Sequence, residues 1–222
     1  MNKYEYIVWD WNGTILNDVN ICVDVINALL KRRRMKEISI NEYKNSFCFP
    51  VINYYKKLGF DFKKESFDSI AVEYMNEYTK RFNECKLYSN VIKVLKKNNS
   101  DNIMQILLSV TEKNRLLEQV KKYEINNIFT DILGTSSING IGKADIAIEW
   151  LNSNKIDNTK VLFIGDTLHD YEIAQMVGCD CLLVAQGHQS KDILNSSNAV
   201  VIDNILNLLN YTRFVSKQEN TV

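Results

Sequence analysis

Three stretches of this 222-residue chain place polar residues at the end of short apolar runs. Asp10 follows Tyr4-Glu5-Tyr6-Ile7-Val8-Trp9 and opens Asp10-Trp11-Asn12-Gly13-Thr14. Ser109 closes Ile106-Leu107-Leu108-Ser109. Gly165-Asp166-Thr167-Leu168-His169-Asp170 comes directly after Val161-Leu162-Phe163-Ile164. Between the last two, Gly142-Lys143 opens a helical pattern. Two kinds of group are present. Carboxylates ligate hard cations and, suitably activated, attack electrophiles. A hydroxyl and an ammonium donate to an anion. Gly13 permits a sharp turn behind Asp10, because glycine takes positive φ without steric cost.

The surrounding pattern sets where these groups lie. Tyr4–Trp9, Ile103–Ser109, Ile128–Leu133, Val161–Ile164, Cys181–Val184 and Ala199–Ile202 read as buried strands. Helices fit Asn90–Asn98, Glu112–Tyr123, Lys143–Asn152, Asp170–Val177 and Asn204–Tyr211. Alternating strands and helices predict a mostly parallel sheet with helices on both faces. Ligands of such sheets bind beyond the carboxyl ends of the strands, which is where Asp10, Ser109 and Asp166 fall. Leu16–Cys85 is different: it reads as an all-helical insert. Cys22, Ile26, Leu29 and Leu30 share one helical face behind an N-cap at Asn17 or Asp18. That helix ends in Lys31-Arg32-Arg33-Arg34, where cations suit the carbonyl end of the dipole. Further helices fit about Ile40–Phe47, Val51–Leu58 (ended by Gly59) and Lys64–Asn83.

Composition narrows the class. Lys+Arg and Asp+Glu balance at 27 each, so the chain lacks the basic excess of a nucleic-acid or anionic-membrane binder. No run of about 18 apolar residues occurs, and no membrane span is expected. The five cysteines, Cys22, Cys48, Cys85, Cys179 and Cys181, are odd in number and without CxxC spacing. They read as reduced core thiols of a cytoplasmic protein. Neither signal peptide nor repeat is apparent, and the polar tail from Ser216 is expected to fray.

Taken in order, the Asp-x-Asn-Gly-Thr strand end, Ser109, Lys143 and Gly-Asp-x-x-x-Asp resemble the haloacid dehalogenase (HAD) superfamily of hydrolases. Local wording at Trp9–Thr14, Phe49-Pro50-Val51, Leu58-Gly59-Phe60-Asp61 and Gly165–Asp170 resembles its phosphoglycolate-phosphatase-like subgroup. The resemblance spans essentially the whole chain. It implies a Rossmann-like α/β core from residues 1–15 and 86–222, and a helical cap from residues 16–85 that closes over the site. It further implies Mg²⁺-dependent hydrolysis of a small phosphorylated metabolite by a monomer or homodimer, with no nucleic-acid or membrane partner. On that pattern Asp10 is the nucleophile, giving an aspartyl-phosphate that water hydrolyses. Asp10, Asp166 and the Asn12 main-chain carbonyl ligate the metal, and Asp170 holds a metal-bound water or orients Lys143. Ser109 and Lys143, with Asn12 and Gly13, bind the phosphate. A cap loop, Phe47-Cys48-Phe49, faces the substrate or packs in the cap core.

Asn12 departs from the pattern. Most phosphatases of this superfamily carry an Asp there, which protonates the leaving oxygen and then activates water. An amide can donate a hydrogen bond but cannot shuttle a proton at neutral pH, and such assistance is worth roughly 10²–10⁴-fold. Four accounts stay open. The leaving group is good, as in an acyl phosphate; His169 or His188 supplies the proton; the chain is a phosphonatase with a Schiff-base lysine in the cap, for which Lys44, Lys56 and Lys57 are available; or it binds phosphorylated ligands with little turnover.

Plainer readings stand beside each of these. Asp10 and Asp166 could only cap turns, Ser109 could be an ordinary strand-end hydroxyl, and Lys143 a surface lysine. Asp170 could be the N-cap of its helix, His169 a polar first-turn residue, and His188 a loop residue. Lys31–Arg34 could be a solvated helix end rather than a steering patch.

Overall fold

Ile7, Val8 and Trp9 are all buried, so the first strand has protein on both faces and must lie inside a sheet. A computed structural model of the chain, which describes residues 3–135 and 142–211, places it there. The polar tail from Ser216 lies outside the described residues. The elements run β1 (Tyr6–Trp9), β2 (Leu16–Asn17), α1 (Val19–Arg32), α2 (Ile40–Ser46), α3 (Val51–Lys57), α4 (Phe67–Arg81), β3 (Lys86–Leu87) and α5 (Val91–Ser100). They continue with β4 (Met104–Glu112), α6 (Lys113–Lys122), β5 (Asp131–Thr135), α7 (Lys143–Asn154), β6 (Val161–Gly165), α8 (Leu168–Val177), β7 (Asp180–Val184), α9 (Lys191–Leu194) and β8 (Val200–Ile202). The six-stranded sheet has the order β5-β4-β1-β6-β7-β8, and every pair in it is parallel.

The strand period of two divides the core into two halves. Ile7, Trp9, Leu107, Leu162, Ile164 and Leu182 pack on one face with Val94 and Leu95 of α5 and Leu116 and Val120 of α6. Val8, Ile106, Leu108, Phe163 and Leu183 pack on the other with Ala147 and Leu151 of α7 and Ile173 and Ala174 of α8. The expected α/β class, a parallel sheet covered on both faces, is what the chain forms. The helices α1–α4 lie between β2 and β3, and their aromatic residues join the first cluster. No described helix is long and apolar enough to cross a membrane.

Several boundaries differ from the sequence reading, each for a physical reason. Leu16–Asn17, expected inside the helical insert, is a strand that pairs antiparallel with Lys86–Leu87. The two crossings of the chain between sheet and insert are thereby zipped together. Ser109, expected at a strand end, lies within β4, which runs on to Glu112 past an irregularity after Leu108. The helix expected from Lys64 starts later, at Phe67, because the Ser66 hydroxyl accepts from Ser69 N and so caps α4. Asn126–Ile128 and Ile205–Asn207 wind as 3₁₀ turns where a strand start and a helix start were expected. Asp170 is not an N-cap: Thr167 holds that position, and Asp170 closes its capping box.

Candidate active site

Parallel pairing sets β1 and β6 in register, with Trp9 beside Ile164, and Asp10 N donates to Ile164 O at 2.8 Å. The next residues of the two strands, Asp10 and Gly165-Asp166, therefore leave the sheet together. The capping box of α8 then turns Asp170 back toward them. Its Oδ2 accepts from Asp166 N at 3.2 Å, Thr167 N at 3.1 Å and Thr167 Oγ1 at 2.8 Å. Carboxylate oxygens of Asp10, Asp166 and Asp170 lie within 4.8 Å of one another. Lys143, the first residue of α7, is buried and donates its ammonium to Asp10, and to Asp170 at 2.7 Å. Asp166 is held from two sides: Oδ1 accepts from Thr14 Oγ1 at 2.9 Å and Oδ2 from His188 N at 2.6 Å. The backbone at Gly13 (φ +76°) and Gly187 approaches so closely that a Cβ at either position would overlap the Asp166 carboxylate.

Three buried carboxylates face one lysine, and the charges do not balance. Burial pushes Asp10 up to about 8, against the pull of Lys143. Burial likewise raises Asp166 to about 6, opposed by His188 and reinforced by Asp170. Asp170 stays below the ordinary carboxylate range, because Lys143 and the Thr167 hydroxyl outweigh its burial. Lys143 is raised by the same two acids despite its own burial. A site with this excess of buried negative oxygen suits a hard divalent cation.

The Asn12 side chain bonds to groups outside that cluster. Its amide donates to Asp18 Oδ2 at 2.8 Å and to the Tyr78 hydroxyl at 3.0 Å. Tyr78 donates in turn to Asp18 at 2.8 Å. Gly13 N–H is also occupied, by Leu16 O at 2.9 Å and Asp18 Oδ1 at 3.1 Å. Asp18 thus does more than begin α1: its side chain makes no cap bond and instead collects the turn after β1. The same carboxylate lies 3.3 Å from His188 Nε2, while His188 Nδ1 lies 3.0 Å from the Tyr43 hydroxyl. Burial would lower His188, but Asp18 prevails and raises it to about 9. Asp18 stays low because His188, Asn12 and Tyr78 outweigh its desolvation. Sequence reasoning reads Asp18 only as a cap and passes over Tyr78. The one available signal is that Asp18 is the next acid along the chain after Asp10.

A cavity of about 890 Å³ opens onto these groups. Asp10, Asn12, Ser109, Lys143, Asp166 and Asp170 all line it. Ser109 Oγ donates to Thr111 Oγ1 and accepts from Thr111 N, both at 3.1 Å. Phe47 and Phe49 of the expected cap loop line the cavity as well; Cys48 does not and packs against the core. His169 also reaches it, with its ring stacked on Phe49 at 4.6 Å. Lys44, Lys56 and Lys57 do not line it. Lys44 donates to Gln186 O at 3.0 Å and Lys57 to Ser46 O at 3.5 Å. Arg32 and Arg33 are committed to Glu65, Glu73 and Glu77, so that part of the basic run ties helices together rather than standing free in solvent. All five cysteines are free thiols, four of them buried.

Residues 7–184 match the family model of haloacid dehalogenase-like hydrolases. Among curated proteins, none matches the sequence. Solved structures do match in fold. A predicted phosphoglycolate phosphatase from Haemophilus somnus 129PT superposes with TM-score 0.78 at 18% identity, over 96% of this chain and 99% of its own. A haloacid dehalogenase-like family hydrolase from Streptococcus pneumoniae gives 0.78 at 20% identity, over 95% and 99%. The Mycobacterium tuberculosis protein tyrosine kinase A also gives 0.78, at 16% identity, over 95% and 98%. Such identities establish a common fold.

Proposed function

Because the chain belongs to the haloacid dehalogenase-like hydrolase family, we propose that it is a phosphatase in which Asp10 takes the phosphoryl group of a small phosphorylated metabolite. The observation that supports this most directly is the gathering of Asp10, Asp166, Asp170 and Lys143 at the carboxyl edge of β1 and β6. The buried acids fit a divalent cation, and Mg²⁺ is the one we assign; Asp10, Asp166 and the Asn12 main-chain carbonyl would hold it, with Asp170 holding a metal-bound water or orienting Lys143. When bound, that ion neutralises phosphate charge that would otherwise repel an attacking carboxylate. The protein's own groups do the rest. Lys143 holds Asp10 in place and donates to a phosphate oxygen, and Ser109 donates to another. Asp10 attacks phosphorus, the bond to the leaving oxygen breaks, and an aspartyl-phosphate forms. Water then attacks phosphorus, releasing phosphate and the free Asp10 carboxylate.

Asn12 cannot protonate the leaving oxygen, and its amide is already bound to Asp18 and Tyr78. Leaving groups that depart without a proton are therefore the ones this site handles. The phosphonatase account is the weaker, since none of Lys44, Lys56 and Lys57 lines the cavity. The test is phosphate release from acetyl phosphate with Mg²⁺. Turnover is expected in the parent and absent in Asp10→Asn; turnover that survives in Asp10→Asn rules out this role for Asp10.

A further inference from the structure

The cavity has the acid cluster at one end and an aromatic wall, with further charges at Glu112, Arg115, Glu118 and Lys122 along its rim. Tyr54 and Tyr55 of α3 contribute to the wall, and two further places supply the rest. Helix α4 presents Tyr74, Tyr78 and, just past its end, Phe82 at intervals of four residues, with Phe67 two turns before Tyr74 on the same stripe. The segment after α2 presents Phe47 and Phe49, whose rings meet edge to face at 5.4 Å. An amphipathic helix normally spends such a stripe on the protein core. Here Phe67, Tyr74 and Phe82 are half-buried: they pack against the core on one side and line the cavity on the other. The wall begins at the reacting end, because the Tyr78 hydroxyl accepts from the amide of Asn12, two residues beyond Asp10. Tyr54 belongs to the same lining, and its hydroxyl is the one buried side-chain polar atom without a hydrogen-bond partner among the described residues.

A volume of about 890 Å³ is far more than a phosphoryl group on a two-carbon acid would fill; pockets of roughly 300–1,000 Å³ hold organic ligands of substantial size. Aromatic walls select flat rings, which stack or pack edge-on at distances aliphatic groups cannot exploit as well. The neutral Asn12 adds a second, independent constraint. An aliphatic alkoxide leaves poorly without a proton, whereas a phenolate, whose conjugate acid has a pKa of about 10, leaves far more readily. We propose that the substrate is an aryl phosphate, a phosphate ester on the oxygen of a flat aromatic ring, with the ring seated against Phe49 and the α4 stripe. This rests on the phosphatase reading above. In the step, Asp10 attacks phosphorus, the P–O bond to the ring oxygen breaks, and the phenolate departs with the bonding pair and takes its proton from water afterwards.

Four phosphate compounds separate the two constraints: phenyl phosphate (ring, good leaving group), benzyl phosphate (ring, poor leaving group), the anhydride acetyl phosphate (no ring, good leaving group) and phosphoglycolate (neither). With Mg²⁺ present, KM for the two ring esters is expected about tenfold below that of the other two. The kcat for phenyl phosphate is expected at least about tenfold above that for benzyl phosphate. Tyr74→Ala and Phe49→Ala should each shrink the ratio of KM values between acetyl and phenyl phosphate. Phosphoglycolate binding as well as phenyl phosphate, or a ring advantage that survives both substitutions, overturns the proposal. If none of the four compounds is turned over, the phosphatase reading fails. The ring site is then judged alone by calorimetry: phenylphosphonate binding more tightly than methylphosphonate supports it, and equal binding overturns it.

Discussion

At the scale of single residues, Asn12 is the most informative position. Its amide is a donor between two acceptors, the Asp18 carboxylate and the Tyr78 hydroxyl. An Asp at position 12 would set a second carboxylate against Asp18 in a buried turn. Leaving a buried charge without its partner costs about 3–5 kcal/mol. Asn12→Asp is therefore expected to lower stability by about 3 kcal/mol in urea denaturation at pH 7 without metal. Combining it with Asp18→Asn should recover only part of that loss, since the clash of carboxylates is removed but His188 loses its acid. Equal stability of Asn12→Asp and the parent would mean that the turn does not need the amide. The chemical consequence follows from the same bonds: the position that would carry the proton is engaged in joining the β1 turn to α4.

At the scale of elements, the insert is tied together along α1 and α4. Arg33 donates to Glu65 through Nε and Nη2, to Glu73 through Nη2 and to Leu29 O through Nη1. Its side chain is mostly shielded, at 19% exposure. Arg32, at 49%, makes fewer such bonds, to Glu73 and Glu77. Exposed pairs contribute little because water competes and salt screens them; shielded, multiply bonded ones contribute more. Arg33→Ala is expected to cost about 1–2 kcal/mol, and Arg32→Ala less, by thermal or urea unfolding at low salt. The reverse ranking would show that packing of the arginine stems, and not their charge, holds α1 against α4. This contact matters for the site because α4 carries both Tyr78 and the aromatic stripe.

At the scale of the whole molecule, strand register and ligand site are one problem. Asp10 and Asp166 leave adjacent parallel strands side by side, which concentrates buried negative charge where the sheet ends. A cation bound there favours the folded state by RT ln(1 + [L]/Kd), about 2.7 kcal/mol at a hundred times Kd. Unfolding followed in Mg²⁺ and in EDTA is thus expected to show a higher midpoint with the ion, and no difference in Asp166→Asn. A parent protein indifferent to Mg²⁺ would count against the three acids as a metal centre.

Much of this is legible in the chain. The apolar runs before Asp10, Ser109 and Asp166 disclose the strands, and their alternation with helices discloses the parallel sheet, because hydrophobic period and strand order are local properties. The same logic puts Lys143 at a helix start. What cannot be read are contacts between segments far apart in sequence. Asp18 looks like a helix cap, since a cap needs only its own neighbours, yet its partners are Asn12, Tyr78 and His188. The pairing of Leu16–Asn17 with Lys86–Leu87 is too short to leave a periodicity. The α4 stripe announces an apolar face but not whether core or cavity meets it. Residue type and spacing determined which chemistry was available; the packing of the insert against the sheet decided which partner each polar group met and how large a space was left beside Asp10.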